Sequence, residues 1–250
     1  MMKELPILMN GDAVRAILDD GQTQDRRPIK PQPTGWNPTL NTEGAWLFCV
    51  AGDMDYSEGP FKSPFGAPGD HLYVRETWRI AGWNPDYGTV RIQYKTDGKI
   101  SDDFETEEAN LFERWWVQST NECLSGGFVA DENGWFQFDN KDCPTRWRSS
   151  TQMHKWASRI TLEVERVWAE RVQEISPSDC EAEGITGEIH ASPVRGQPYS
   201  EYRNGDGLVY AEPKQAFAAL WDSIYDTKGF GWDTNCWVFG CEFKVLEGEE

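Results

Sequence analysis

From Arg159 to Val172 the side chains alternate in the longest strand pattern of the chain. Ile160, Leu162 and Val164 fall on one side, Thr161, Glu163 and Glu165 on the other, and Arg166, Trp168 and Arg171 follow after a bulge. A period of two over this length predicts a strand with one apolar face, and that face must be buried against something else. Further strands are expected at Ala45–Ala51, His71–Trp78, Thr89–Lys95 and Trp237–Leu246. Helical spacing appears in two places. Ala13, Val14, Ile17 and Leu18 form a stripe behind Asp12, a good N-cap, and predict a helix over 12–20. Ala216, Phe217, Leu220, Trp221, Ile224 and Tyr225 predict another after Pro213. A short third helix opens at Ser176-Pro177 and ends at Gly184. Strands and helices do not alternate as βαβ units, so the fold class is α+β.

The segments between are read as loops. Residues 31–43, 52–70 and 186–212 are rich in Pro, Gly, Asn and Asp, with a turn at Asn204-Gly205. Residues 97–145 are irregular, with an acidic helix over Asp102–Glu113 and a hairpin around Asp131–Gly134, and hold too few aliphatics for a core of their own. They are read as an insertion within one domain spanning 1–250.

Composition narrows the function. Net charge is −18, which opposes the many phosphate contacts that duplex DNA binding requires. It allows a local basic pocket, or an acidic face that docks on a basic partner. The six cysteines include no C-x-x-C pair and stand apart from the three histidines, so no metal is expected. No apolar run approaches a membrane span, and Lys3, Glu4, Asn10, Asp12 and Arg15 interrupt any leader-like stretch. A cytoplasmic protein with reduced thiols is expected, without membrane association. No phosphate-binding glycine motif points to a nucleotide cofactor, and none is expected.

Against this acidic background one basic cluster stands out. The first helix stops at Gly21, and a polar segment follows with Arg26, Arg27 and Lys30 close together. Pro28 and Pro31 keep it from being helical, and it is read as a loop. Its arginines can grip phosphate as planar forks, or pair with Asp19, Asp20 or Asp25. The run Gln22-Thr23-Gln24-Asp25-Arg26-Arg27 after a helix-ending glycine resembles the G-x-K-T-x-T-x-R loop of ASCH domains, members of the PUA-like superfamily. Pro68–Trp78 (PGDHLYVRETW), Trp156–Leu162 (WASRITL) and Gly231–Trp237 (GWDTNCW) resemble further motifs of phage and prophage ASCH proteins, in the same order.

The resemblance implies a small mixed PUA-like β-barrel flanked by helices, with the 22–30 loop lining a pocket. Some small ASCH proteins are amidohydrolases that remove acyl groups from modified cytidine, using a Lys, a Thr three residues on and a Glu from a later helix. Those positions hold Gln22, Asp25 and Glu183 here, so the Glu alone is kept. Gln22 cannot carry a proton at neutral pH and Asp25 has no hydroxyl, which removes the activated nucleophile. Thr23 is a stand-in without a neighbouring Lys. The family His is Gln152.

The expected function is therefore binding of a nucleotide, a modified base or single-stranded nucleic acid, RNA before duplex DNA. Candidate ligand contacts are Gln22, Thr23, Arg26, Arg27, Lys30, Arg75, Glu76, Trp78, Trp156 and Arg159. Asp25 and Glu183 are the candidate acid–base pair for the alternative, a hydrolase (amidohydrolase or ribonuclease) acting on modified nucleosides or RNA. A third alternative is a phage accessory protein that binds a host protein through its acidic surface, in the host cytoplasm.

Overall fold

The computed structural model describes residues 2–19, 21–49, 57–84, 86–101, 104–105, 109–132, 136–139, 142–191, 198–205 and 207–246. The elements follow the order β1 (Glu4–Leu8), α1 (Gly11–Leu18), β2 (Gln24–Pro28), β3 (Trp36–Leu40), β4 (Trp46–Cys49), β5 (Ser57–Phe61), β6 (His71–Arg75), β7 (Trp78–Asn84), β8 (Thr89–Tyr94), β9 (Phe104–Glu105), α2 (Ala109–Ser125), β10 (Thr161–Arg171), α3 (Pro177–Ala182), β11 (Thr186–Ala191), β12 (Pro198–Arg203), α4 (Pro213–Tyr225) and β13 (Trp237–Leu246). The fold is α+β and rich in strands. No helix among the described residues is long and apolar enough to cross a membrane.

Two compact units divide the chain. The first comprises Met1–Leu5, Ala16–Leu72 and Thr161–Glu250, the second Pro6–Arg15 and Tyr73–Ile160. In the first, β13 lies between β10 and β2 and is antiparallel to both. The expected bulge in β10 falls between Val164 and Arg166. The sheet of order β3-β4-β5 packs on β13 through rings: Phe48 meets Trp237 at 5.0 Å and Trp46 meets Phe239 at 6.0 Å. Helices α3 and α4 close a core of Val172, Ile175, Ile185, Phe217, Trp221 and Val238.

In the second unit the sheet of order β7-β8-β9 and α2 enclose Trp78, Ile80, Val90, Ile92, Tyr94, Phe112 and Trp115. Residues 97–145 belong to this unit, and their contribution is aromatic rather than aliphatic. The acidic helix expected at 102–113 is displaced toward the C-terminus, to α2. The hairpin expected around 131–134 falls partly outside the described residues.

The strands expected to share one barrel are distributed over three sheets, and no sheet among the described residues closes on itself. β4 is claimed by β3 and β5, which the sequence reads as loop. Both are edge strands, where Pro38 and Pro60 sit without breaking an interior ladder. A bulge lies between Trp36 and Pro38, where Asn37 takes a left-handed φ of 49°. The 186–212 segment, also read as loop, holds the β11–β12 hairpin. The cap of α1 is Asn10, whose Oδ1 accepts from the Ala13 amide at 2.8 Å, while Asp12 pairs with Arg15.

Candidate functional site

The basic segment is a strand and not a loop. β2 pairs with β13 in the register Arg27–Phe239, Arg26–Gly240 and Asp25–Cys241. Strand alternation therefore sends the two neighbouring arginines to opposite faces. Gln24 and Arg26 are buried, whereas Asp25 and Arg27 are half-buried on the other face.

Arg26 has no exposed side-chain surface. Its Nε donates to Glu170 at 2.7 Å, and its Nη1 donates to Glu183 at 2.8 Å and to the Gln24 side-chain oxygen at 2.9 Å. Asp179 stands 3.7 Å away and is held by the Gln24 amide at 3.0 Å. The guanidinium also lies 5.2 Å from the centre of the Trp168 ring, which crosses Gly240; a Cβ there would overlap the indole. Burial opposes the charge on Arg26, but Glu183 and Glu170 outweigh it and raise its pKa. The expected ligand contact at Arg26 is thus corrected: a buried side chain whose Nε and Nη1 are committed to Glu170, Glu183 and Gln24 anchors the sheet.

Glu183 caps the C-terminus of α3, and its backbone bridges that of Gln22. Gln22 is buried and its amide donates to the Gln24 carbonyl at 2.9 Å, so its expected role as a ligand contact is also corrected. Thr23 is exposed, with its amide donating to the Ala182 carbonyl at 2.8 Å. Burial pushes the Glu183 carboxyl up to about 8, Arg26 works against this, and Asp25 and Glu170 add to it. Burial is thus the leading physical cause of the raised Glu183 carboxyl.

On the other face Arg27 donates to Asp25 at 2.7 Å and lines an open cavity of about 800 Å³. Burial lowers the Arg27 pKa, and Asp25 more than reverses it, so the cation is secure. Lys30 and Lys62 add positive charge to the walls, and Phe61, Tyr225 and Phe239 add rings. Burial raises the Tyr225 phenol far above its usual range, with Asp25 adding to the effect, so it stays a neutral hydroxyl. The sequence reading missed Glu58, Phe61, Lys62, Tyr225 and Phe239 as cavity residues. They come from β5 and the residue after it, α4 and β13, and no local motif joins them.

The other candidates lie in the second unit. Arg159 holds Glu76 by two bonds, of 2.7 and 3.0 Å, holds Asp97 at 2.7 Å, and covers the Tyr94 ring at 4.1 Å. Glu76 is 2% exposed and Trp78 fully buried, with Trp115 at 5.4 Å and Trp156 at 6.4 Å from Trp78. Arg75 donates to the Thr151 carbonyl. The expectation that Glu76, Trp78 and Arg159 meet a ligand is corrected. A buried charge needs a partner, and Glu76 and Arg159 have found one in each other. Trp156 is partly buried against the same core and stacks on His154.

Comparison with family models, with curated proteins and with solved structures finds no match.

Proposed function

We propose that this chain binds a nucleotide, a modified base or a short single-stranded nucleic acid in the cavity beside β2, and that it is an ASCH-type, PUA-like protein. The observation that carries the reading is the composition of the cavity wall: Arg27, Lys30 and Lys62 stand beside Tyr225, Phe61 and Phe239. Cations for phosphate next to ring faces for a base are the two requirements of single-strand and nucleotide binding. The β2–β13–β10 ladder, with the β3-β4-β5 sheet packed on it, is on this reading the part of a PUA-like barrel that carries the site. The net charge of −18 favours a small or single-stranded ligand over a long duplex. The proposed setting is the cytoplasm, where the six free thiols stay reduced.

The test is a fluorescence titration with 5′-mononucleotides and short single-stranded oligonucleotides. Arg27→Ala weakens binding by about 1–3 kcal/mol, as loss of a charge-assisted phosphate contact does. With Arg27, Lys30 and Lys62 as the cations of the cavity wall among the described residues, the slope of log affinity against log salt for an oligonucleotide is no steeper than about −2. Unchanged affinity in a folded Arg27→Ala variant rejects the reading.

A second reading rests on Glu183. A buried carboxyl that titrates near pH 8 is suited to proton transfer, and would serve a hydrolase acting on a modified nucleoside or RNA. General acid–base help alone gives about 10²–10⁴-fold. Without the Lys and Thr of the family motif, turnover of acetylcytidine is expected to be absent. Turnover that disappears in Glu183→Ala would put the enzyme first.

A further inference from the structure

We infer that Glu58 is a specificity residue of the cavity and selects an occupant whose ring edge donates a hydrogen bond, an exocyclic amino group above all. The inference rests on the nucleotide reading. Glu58 lies on β5 in the cavity wall. One oxygen of its carboxylate, Oε2, accepts from the Thr34 amide at 2.7 Å, the Thr34 hydroxyl at 2.9 Å and the Gly35 amide at 3.3 Å. These donors fix the orientation of the group, and the Thr34 amide leads in keeping its pKa below the usual carboxylate range. Position 35 must be glycine for this geometry, because a Cβ would overlap the Cys49 carbonyl and the Phe48 backbone. The second oxygen, Oε1, has no donor among the described residues.

An ionised carboxylate accepts and never donates. With the anionic end of a ligand at Arg27, Lys30 and Lys62, and its ring against Tyr225 or Phe239, the ring edge is what remains to meet Glu58. Cytosine and adenine present an amino group there. Uracil and hypoxanthine present a carbonyl oxygen at the same place, which a carboxylate repels. The position thus works by rejection as much as by attraction.

Isothermal titration with CMP, UMP, AMP and IMP tests this on the native chain and on Glu58→Gln. The native chain is expected to prefer CMP over UMP and AMP over IMP by about tenfold, the scale of one hydrogen bond to a charged group at a half-exposed site. In Glu58→Gln the three donors of Thr34 and Gly35 require the amide oxygen, so the NH₂ faces the cavity. A donor there turns the preference toward UMP and IMP. Equal binding within each pair, or a native preference that Glu58→Gln leaves unchanged, overturns the assignment while leaving the nucleotide reading intact. Failure of all four nucleotides to bind the native chain overturns the nucleotide reading itself, and the inference with it.

Discussion

Replacing Arg26 by Met separates the two neighbouring arginines by experiment. The side chain keeps its length and loses its charge, so Glu170, Glu183 and Asp179 lose the guanidinium they share. Removing one partner of a buried ion pair costs about 3–5 kcal/mol. Glu183 softens the loss, because burial already raises its carboxyl and it takes up a proton when the cation is gone. The lower end, about 3 kcal/mol, is therefore expected at neutral pH, which for a chain of this size lowers the melting temperature by about 6–12 °C. The pH dependence has a definite sign. A carboxyl with a raised folded-state pKa contributes fully below its unfolded value, and the contribution fades as pH rises through the folded value. With Arg26 gone, ionised Glu183 has no counter-ion, so the deficit is larger at pH 9 than at pH 5. Thermal unfolding followed by circular dichroism at both pH values measures it, with Arg27→Met as the neighbouring control. Arg27 is half-buried and paired with Asp25, and its loss costs under about 1 kcal/mol. An Arg26→Met chain that melts within about 2 °C of the native one, or shows the same deficit at both pH values, refutes the buried-anchor account.

Two further substitutions probe the same division between anchor and site. Glu183→Gln keeps the shape of a protonated carboxyl, so stability should fall less between pH 4.5 and 8 than in the native chain; an unchanged slope in urea titrations would mean that Glu183 is ionised throughout. Trp78→Ala empties a fully buried position between Trp115 and Trp156 and is expected to cost about 3–5 kcal/mol, with mononucleotide affinity retained in the folded fraction; lost affinity at unchanged stability would restore Trp78 as a stacking residue.

How far the sequence carries this picture depends on whether a residue's neighbours are local. β10, with its bulge, and β13 are legible because one face is apolar and the other polar for many residues in a row. α4 is legible from its stripe and from Pro213 at its first turn. Among the strands that escape, β2, β3 and β5 are all sheet edges carrying a proline: Pro28, Pro38 and Pro60. Proline argues against a strand only where its missing N–H is needed, and at an edge it is not. The β11–β12 hairpin escapes because polar residues such as Glu188 and Glu201 sit opposite one another in its ladder. The two arginines of the basic cluster turn to opposite faces, which depends on strand register. Arg26 meets Glu170, Asp179 and Glu183, far away in sequence, and only the pairing of β2 with β13 decides which arginine turns inward. Glu58 carries no signal of its own and joins the site through the β4–β5 pairing, with Lys62 just beyond the end of β5.

The central claim is that the cavity beside β2 holds a nucleotide, and a crystal structure grown with a saturating 5′-mononucleotide tests it most directly. The account predicts the phosphate at the guanidinium of Arg27, with Lys30 or Lys62 on its other side, and the base against the ring of Tyr225 or Phe239. A nucleotide bound elsewhere on the chain, with Arg27 still paired to Asp25 and the cavity holding only solvent, contradicts it.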